Sequence, residues 1–239
     1  MKVPERRPNK WLSLFAWLLP SCRFKLWALR SLGNQIGSDV VLGPNLVVGC
    51  GRFEIADGAA IMQFNTFRAL SRVELGPLSH IGNFNYFSAA PDYQQFSPWV
   101  GRLMIGEGAI ITNRHYFDCS GQVILGPYAA VSGLKCILQT HELDLADNIS
   151  GVGRIVLESK AVASTGCILL KDSYLPEKSV LAAGSVLVRP KEGADMPASG
   201  LYGGSPARFI KERDKSDWWD RADVHTPVTA FDDEKFRLQ

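Results

Sequence analysis

Aliphatic and aromatic side chains recur every six residues along most of this chain. Ile36, Leu42 and Val48 begin the series; Ile55, Ile61 and Phe67 continue it, followed by Leu75, Ile81 and Phe87. It resumes at Ile105, Ile111 and Phe117, then at Leu125, Val131 and Ile137. It ends with Leu157, Ala163, Leu169, Leu175, Leu181 and Leu187 in unbroken step. A spacing of six fits neither the 3.6-residue helical period nor the alternation of a long strand; it fits a short strand and a tight turn, repeated. Three such units make one triangular coil of a parallel β-helix. The apolar column then points inward and stacks on the next coil about 4.8 Å away. The pattern therefore predicts an all-β rod of about seven coils, roughly 30 Å long. The small residue that follows many apolar positions, as in "IGSDVVLGPNLVVG" and "LGPLSHIGNFNY", is expected at a corner, where Gly tolerates positive φ.

Two interruptions break the series, at residues 88–104 and 138–156. Insertions in solenoids leave the rod as loops, often on a binding face, and long loops inside compact domains are usually functional. The repeat divides the chain into an N-terminal helical segment (1–33), the rod (34–190) and a C-terminal turn, helix and tail (191–239).

The N-terminal segment "RRPNKWLSLFAWLLPSCRFKLWALRSLG" is apolar over Trp11–Leu19 but too short for the roughly 18–20 residues that cross a bilayer, and it has no signal-peptidase pattern. Lys2, Arg6, Arg7, Lys10, Arg23, Lys25 and Arg30 face a single acid, Glu5, and Trp11, Trp17 and Trp27 suit a membrane interface. Two readings stand: helices packed over the end of the rod, and peripheral contact at the inner face of a membrane from a cytoplasmic location.

A chain of 239 residues, 46% of them hydrophobic, is long enough to bury a sizeable core. A net charge of +2 gives no reason to expect a nucleic-acid partner. Cys22, Cys50, Cys119, Cys136 and Cys167 show no metal-ligand spacing and read mostly as core residues of a reducing compartment.

Near the C-terminus, "LESKAVASTGCILLKDSYLPEKSVLAAGSVLVRP" followed by "LYGGSPARFIKER" resembles the hexapeptide-repeat acyltransferases, especially the sugar O-acetyltransferases of the maltose, galactoside, nodulation and capsule types. "AAGSVLVRP" resembles the family's AGSVVTKD element, "GGSPARFIK" its terminator, and "QTHEL" its Thr-His loop. The resemblance covers about Ile36 to Lys211. It implies a left-handed parallel β-helix, a homotrimer, and a groove between adjacent prisms that takes acetyl-CoA, with a C-terminal helix packed back on the rod over "ARFIKERDKSDWWD". Residues 226–239 are expected as an irregular strap or a partly mobile tail.

Acetyl transfer from a thioester to a sugar hydroxyl needs a base, and a histidine with pKa near 6.5 supplies a neutral fraction at cellular pH. By its place in the resemblance His141 is the catalytic histidine, and Asn113 and Asp118 lie at the acceptor site. The resemblance likewise places Ser164 and Thr165 at the thioester end of acetyl-CoA, Ala183 along its arm, and Arg189, Arg208 and Lys211 toward its phosphates. Glu142, Asp144 or a backbone carbonyl would orient the His141 ring; the sequence leaves that choice open. Val162 stands where many of these enzymes have Trp, Ser164 and Ala182 replace expected glycines, and Leu170, Lys171 and Asp172 replace a Leu-Pro-Gly turn. These departures loosen the expectation for acyl-chain length and acceptor. N-acetylation of an amino sugar is the runner-up chemistry. Two weaker readings are a silent β-helix scaffold and a γ-type carbonic anhydrase built on His80 and His115; the main reading needs no metal.

Overall fold

The six-residue step closes on itself after three turns. Strands Gln35–Ile36, Val41–Leu42 and Leu46–Val48 form the first coil of the computed structural model of the chain, which describes residues 7–213, 215–221, 228 and 229. Each strand pairs in parallel with its counterpart one coil later, for example Ile36 with Ile55 and Leu42 with Ile61. The result is a three-faced rod. The first face runs from Gln35–Ile36 to Tyr174–Leu175 and the third from Leu46–Val48 to Val186–Leu187, each with seven strands. The second runs from Val41–Leu42 to Val180–Leu181 and then takes on the antiparallel hairpin Gly200–Gly204 and Ala207–Glu212.

Inside the rod the apolar columns stack as continuous lines. Phe67, Phe87 and Phe117 lie face to face at 4.7 Å centroid spacing, and all three are fully buried. Burying each such ring stabilises the fold by about 1.5–3 kcal/mol, and each stacked pair adds about 0.5–1.5.

Two members of the sequence series point the other way. Val48 is exposed and its neighbour Val47 is buried; Ile137 is exposed and Leu138 is buried. The corner after Leu42 is one residue short, and the corner after Val131 is one residue long, taken up by Gly133 and Lys135 at positive φ. A one-residue slip moves a side chain to the opposite face of a strand.

The glycines at the corners also work differently from the expectation. A Cβ on Gly76 would sit 2.6 Å from the Glu107 nitrogen, and one on Gly82 would sit 2.5 Å from the Thr112 carbonyl. Their role is close approach of the next coil's backbone, while positive φ falls two residues later, at Leu78 and Phe84. "ARFIKE" is a strand and "DWWD" a single 3-10 turn, in place of the expected C-terminal helix. The strand forms because Leu201 and Tyr202 extend the second face beside Val180 and Leu181, and Ala207–Glu212 covers that new edge. The strap expected over 226–239 falls, except for 228 and 229, outside the described residues.

At the other end, helices α1 (Lys10–Leu18) and α2 (Arg23–Ser31) sit over the first coil. Asn9 caps α1 by accepting from the backbone nitrogens of Trp11 and Leu12. Trp17 is fully buried, 4.6 Å from Phe53. Lys25 is also fully buried, and its Nζ donates to the carbonyls of Trp17, Leu19 and Gly43 at 2.6–2.8 Å. Burial lowers its pKa to about 8. No helix among the described residues is long and apolar enough to cross a membrane.

Candidate active site

Both interruptions leave the rod at the edge between the third and first faces. The first leaves after Tyr86–Ser88 and includes the 3-10 turn Pro91–Gln95; the second leaves after Ile137–Gln139. Strand Tyr116–Asp118 runs between those two strands, so the insertions stand two coils apart, roughly 10 Å. The second is no irregular loop. His141–Asp144 pairs antiparallel with Ile149–Val152 as a projecting hairpin. The Tyr93 hydroxyl of the first insertion hydrogen-bonds the Ser150 hydroxyl of the second, and the Tyr93 ring lies 6.4 Å from the His141 ring. The two insertions therefore meet within one chain, over His141.

Asp118 orients His141. His141 Nδ1 lies 2.8 Å from Asp118 Oδ2, which also accepts from the backbone nitrogens of Thr140 and His141 and from the Thr140 hydroxyl. Oδ1 accepts from the Ser120 nitrogen and hydroxyl. Burial raises the pKa of this carboxyl, but the hydrogen bonds from Ser120, His141 and Thr140 and the adjacent imidazole outweigh it and hold the group below its ordinary value. An ionised carboxylate accepts only, so Nδ1 carries the proton and the lone pair is left on Nε2. The His141 side chain is 42% exposed and that of Asp118 16%: a reachable base on a mostly sheltered anchor.

Neither acid proposed from the sequence as the ring's partner takes that role. Glu142 pairs with Lys171 at 2.6 Å, which raises the lysine pKa, and Asp144 Oδ1 caps the hairpin turn by accepting from the Ala146 and Asp147 nitrogens. Asp118, expected near the acceptor, is the orienting group. The sequence lacked a signal for this because the pairing crosses from one coil to the next.

Asn113 stands at the edge between the second and third faces, at the other end of strand Tyr116–Asp118 from His141. Its Oδ1 accepts from the Asn83 backbone nitrogen at 2.7 Å, the turn-bonding role typical of Asn at corners. Ser164, Thr165 and Ala183 lie along that same edge in successive coils, with Thr165 and Ala183 exposed and the Gly184 nitrogen donating to the Thr165 carbonyl. Arg208 joins their end of the second face, paired with Gly203. Lys211, paired with Leu201, stands three residues further along the hairpin, and Arg189 follows the last third-face strand on the His141 edge. The residues assigned to acetyl-CoA are thus only partly gathered, and the width of the third face separates their main group from His141.

His115 lies inside the rod in a column of side chains that repeats every coil. Asn45 Oδ1 accepts from the Asn65 nitrogen, Asn65 Oδ1 from that of Asn85, and Asn85 Oδ1 from that of His115. His115 Nδ1 in turn accepts from the Cys136 nitrogen, and its Nε2 bonds the Thr112 hydroxyl at 2.8 Å. Both ring nitrogens are occupied, leaving none to bind a metal. Burial lowers the His115 pKa to about 4. Cys136 and Cys167 continue the column by donating from Sγ to the Ser164 and Ala182 carbonyls.

No family model matches the chain. An uncharacterised protein of Dictyostelium discoideum is 28% identical over 118 residues, 49% of this chain and 44% of that protein, so the chain spans less than half of this curated relative. Among solved structures, a variant of AntD, an N-acyltransferase from Bacillus cereus in complex with dTDP and coenzyme A, superposes with a TM-score of 0.52 at 15% identity. The match covers 82% of this chain and 93% of that one. A second AntD variant, in complex with dTDP-4-amino-4,6-dideoxyglucose and coenzyme A, gives 0.50 at 15% identity over 80% and 90%. This likeness, with the three parallel faces, gives the fold as a left-handed parallel β-helix.

Proposed function

We propose that the chain transfers an acetyl group from acetyl-CoA to a sugar hydroxyl, in the building of a surface polysaccharide or other glycan. The observation that carries this reading is the His141–Asp118 pair, with the proton fixed on Nδ1 and Nε2 open at the base of a projecting hairpin. Nε2 takes the proton of the acceptor hydroxyl as its oxygen attacks the thioester carbonyl. The C–S bond then breaks, and the imidazolium returns the proton to the departing thiolate. Asp118 keeps the ring in the productive tautomer and stabilises the imidazolium while it exists.

Amine acetylation on an amino sugar is the second reading. It is favoured by the AntD likeness, since that N-acyltransferase was solved with a dTDP-linked amino sugar and coenzyme A. The same base and the same donor groove serve both acceptors.

Within one chain, His141 and the Ser164–Thr165–Ala183 column occupy different edges of the rod. We propose that a homotrimer closes the site by bringing the column edge of one copy against the His141 edge of the next. The third face between these edges carries exposed Tyr116, Ile137 and Leu46, apolar surface suited to a contact between copies. The exposed hairpin residues Leu143, Leu145 and Ile149 suit an arm that reaches the neighbour.

The test is thiol release from acetyl-CoA against a panel of nucleotide sugars, amino sugars and oligosaccharides. We expect turnover with a sugar acceptor and its loss in His141→Ala; undiminished turnover in that variant sinks the mechanism. Hydroxyl-only against amine-bearing acceptors separates the two readings, and a fully active monomer by light scattering rules out the shared site.

A further inference from the structure

Helix α2 inverts the usual order of a protein surface. Its lysine, Lys25, is fully buried, while Phe24 and Trp27 are 61% and 62% exposed and stack on each other at 5.7 Å. Helix α1 behaves alike: Ser13, Ala16 and Trp17 face the rod, and Trp11, Leu12, Phe15 and Leu18 face outward. Four exposed aromatic rings, Trp11, Phe15, Phe24 and Trp27, on two helices in contact concentrate more apolar surface than a monomeric protein usually shows, and mark a site of contact. It is also held rigidly, because Lys25 ties both helices to the first coil through the Trp17, Leu19 and Gly43 carbonyls.

Charge decides what the face meets. Residues 6–38 contain no Asp or Glu, while Lys10 and Arg23 are exposed beside the aromatic face. A second copy of the same face would set these cations against each other. An anionic bilayer surface offers both a negative layer for the cations and an interfacial zone in which Trp and Phe partition. Each helix has nine residues, about 13 Å, so the pair lies in the interface and does not span it.

We infer that the α1–α2 cap is a docking surface for anionic lipid bilayers, with Trp11, Phe15, Phe24 and Trp27 inserted among the headgroups and Lys10 and Arg23 against the lipid charge. This goes beyond the proposed transfer chemistry and is tested without it. The full-length protein is sedimented with vesicles of phosphatidylcholine containing a minority of phosphatidylglycerol, and with vesicles of phosphatidylcholine alone. We expect sedimentation with the anionic vesicles, reduced by high salt and weakened about tenfold or more in Trp11→Ser/Trp27→Ser and in Lys10→Glu/Arg23→Glu. Circular dichroism should be unchanged in both. If a variant fails to fold, quenching of wild-type tryptophan fluorescence by brominated anionic lipid decides, and its absence overturns the inference. No sedimentation with anionic vesicles overturns it as well. So does a change of oligomeric state in the aromatic variant without any vesicle binding by the wild type, which assigns the face to a contact between copies.

Discussion

His115 and His141 flank one three-residue strand, Tyr116–Asp118, and their surroundings give them opposite chemistry. His115 sits just before the strand, fully buried, with each ring nitrogen bonded inside the rod and the imidazole held neutral by burial. His141 is joined to the strand's far end through Asp118, half-exposed and with Nε2 directed away from its anchor. The lesson is that a histidine's place in a coil matters less than which groups bond its nitrogens. A backbone N–H on Nδ1 ties the ring into the frame; a carboxylate on Nδ1 leaves the lone pair on Nε2, which the proposed transfer uses as its base.

The contrast is broken most sharply by truncating each ring. His141→Ala should lower kcat by about 10²–10⁴-fold and leave thermal stability unchanged. Equal loss of activity and melting temperature would mean that His141 belongs to the frame and not to the chemistry. Asp118→Asn should lower kcat by about 10–10³-fold, because a neutral amide cannot stabilise the imidazolium and has one accepting oxygen for the donors that converge on both carboxylate oxygens. A pH–rate profile of this variant should show a displaced acid limb, the side on which a general base is lost to protonation, a signature that loss of packing alone would not produce. His115→Ala should do the reverse of His141→Ala: a loss of about 2–3 kcal/mol in stability, from a cavity and an unpaired Cys136 nitrogen, with kcat per folded molecule kept.

The smallest effect lies in His115→Asn, which restores the residue type found at this corner in the preceding coils. The contribution of His115 to stability is fullest above pH about 6.5, where its ring is neutral in both folded and unfolded states. As pH falls from there toward about 4, the unfolded chain binds a proton that the buried ring refuses, and stability declines by ~3 kcal/mol in total. His115→Asn should flatten that slope in denaturant melts. The acid loss from Asp118, whose pKa is depressed in the fold, begins as pH falls below the unfolded carboxylate value near 3.9 and is complete once pH has passed the lower folded value, and it should remain.

Much of the rod was legible because its core repeats one residue class at a fixed interval. Phe67, Phe87 and Phe117 could be aligned from the sequence and stack as aligned. Val48 and Ile137 could not be placed, since a corner shortened or lengthened by one residue leaves no mark in an aliphatic series where the next residue is also aliphatic. The polar column was readable in principle: Asn45, Asn65 and Asn85 are spaced by 20 residues, one coil each, and His115 follows in the coil lengthened by the first insertion. Of the candidate site, the departure of the chain at Thr140 and His141 was visible as a break in the period. The role of Asp118 was not, because it depends on the turn that lifts the His141 ring back over the preceding coil. "ARFIKERDKSDWWD" misled for a related reason: its composition allows a helix, and only the open edge of Gly200–Gly204, itself added beside Val180 and Leu181, makes its first part a strand.

The two closures of the rod bear on a hazard built into its geometry. Stacked parallel strands present the same pattern of amides and carbonyls at every level, so a bare terminal coil is a template for the terminal coil of another molecule and invites growth into fibres. At one end Trp17 fills the bore against Phe53, and Lys25 engages the Gly43 carbonyl of the first coil. At the other, the chain reverses direction, so that Ala207–Glu212 runs antiparallel along the last coil and breaks the repeat. The bore is thus filled at one end and the second face covered at the other, which leaves less of the repeating edge open to another molecule.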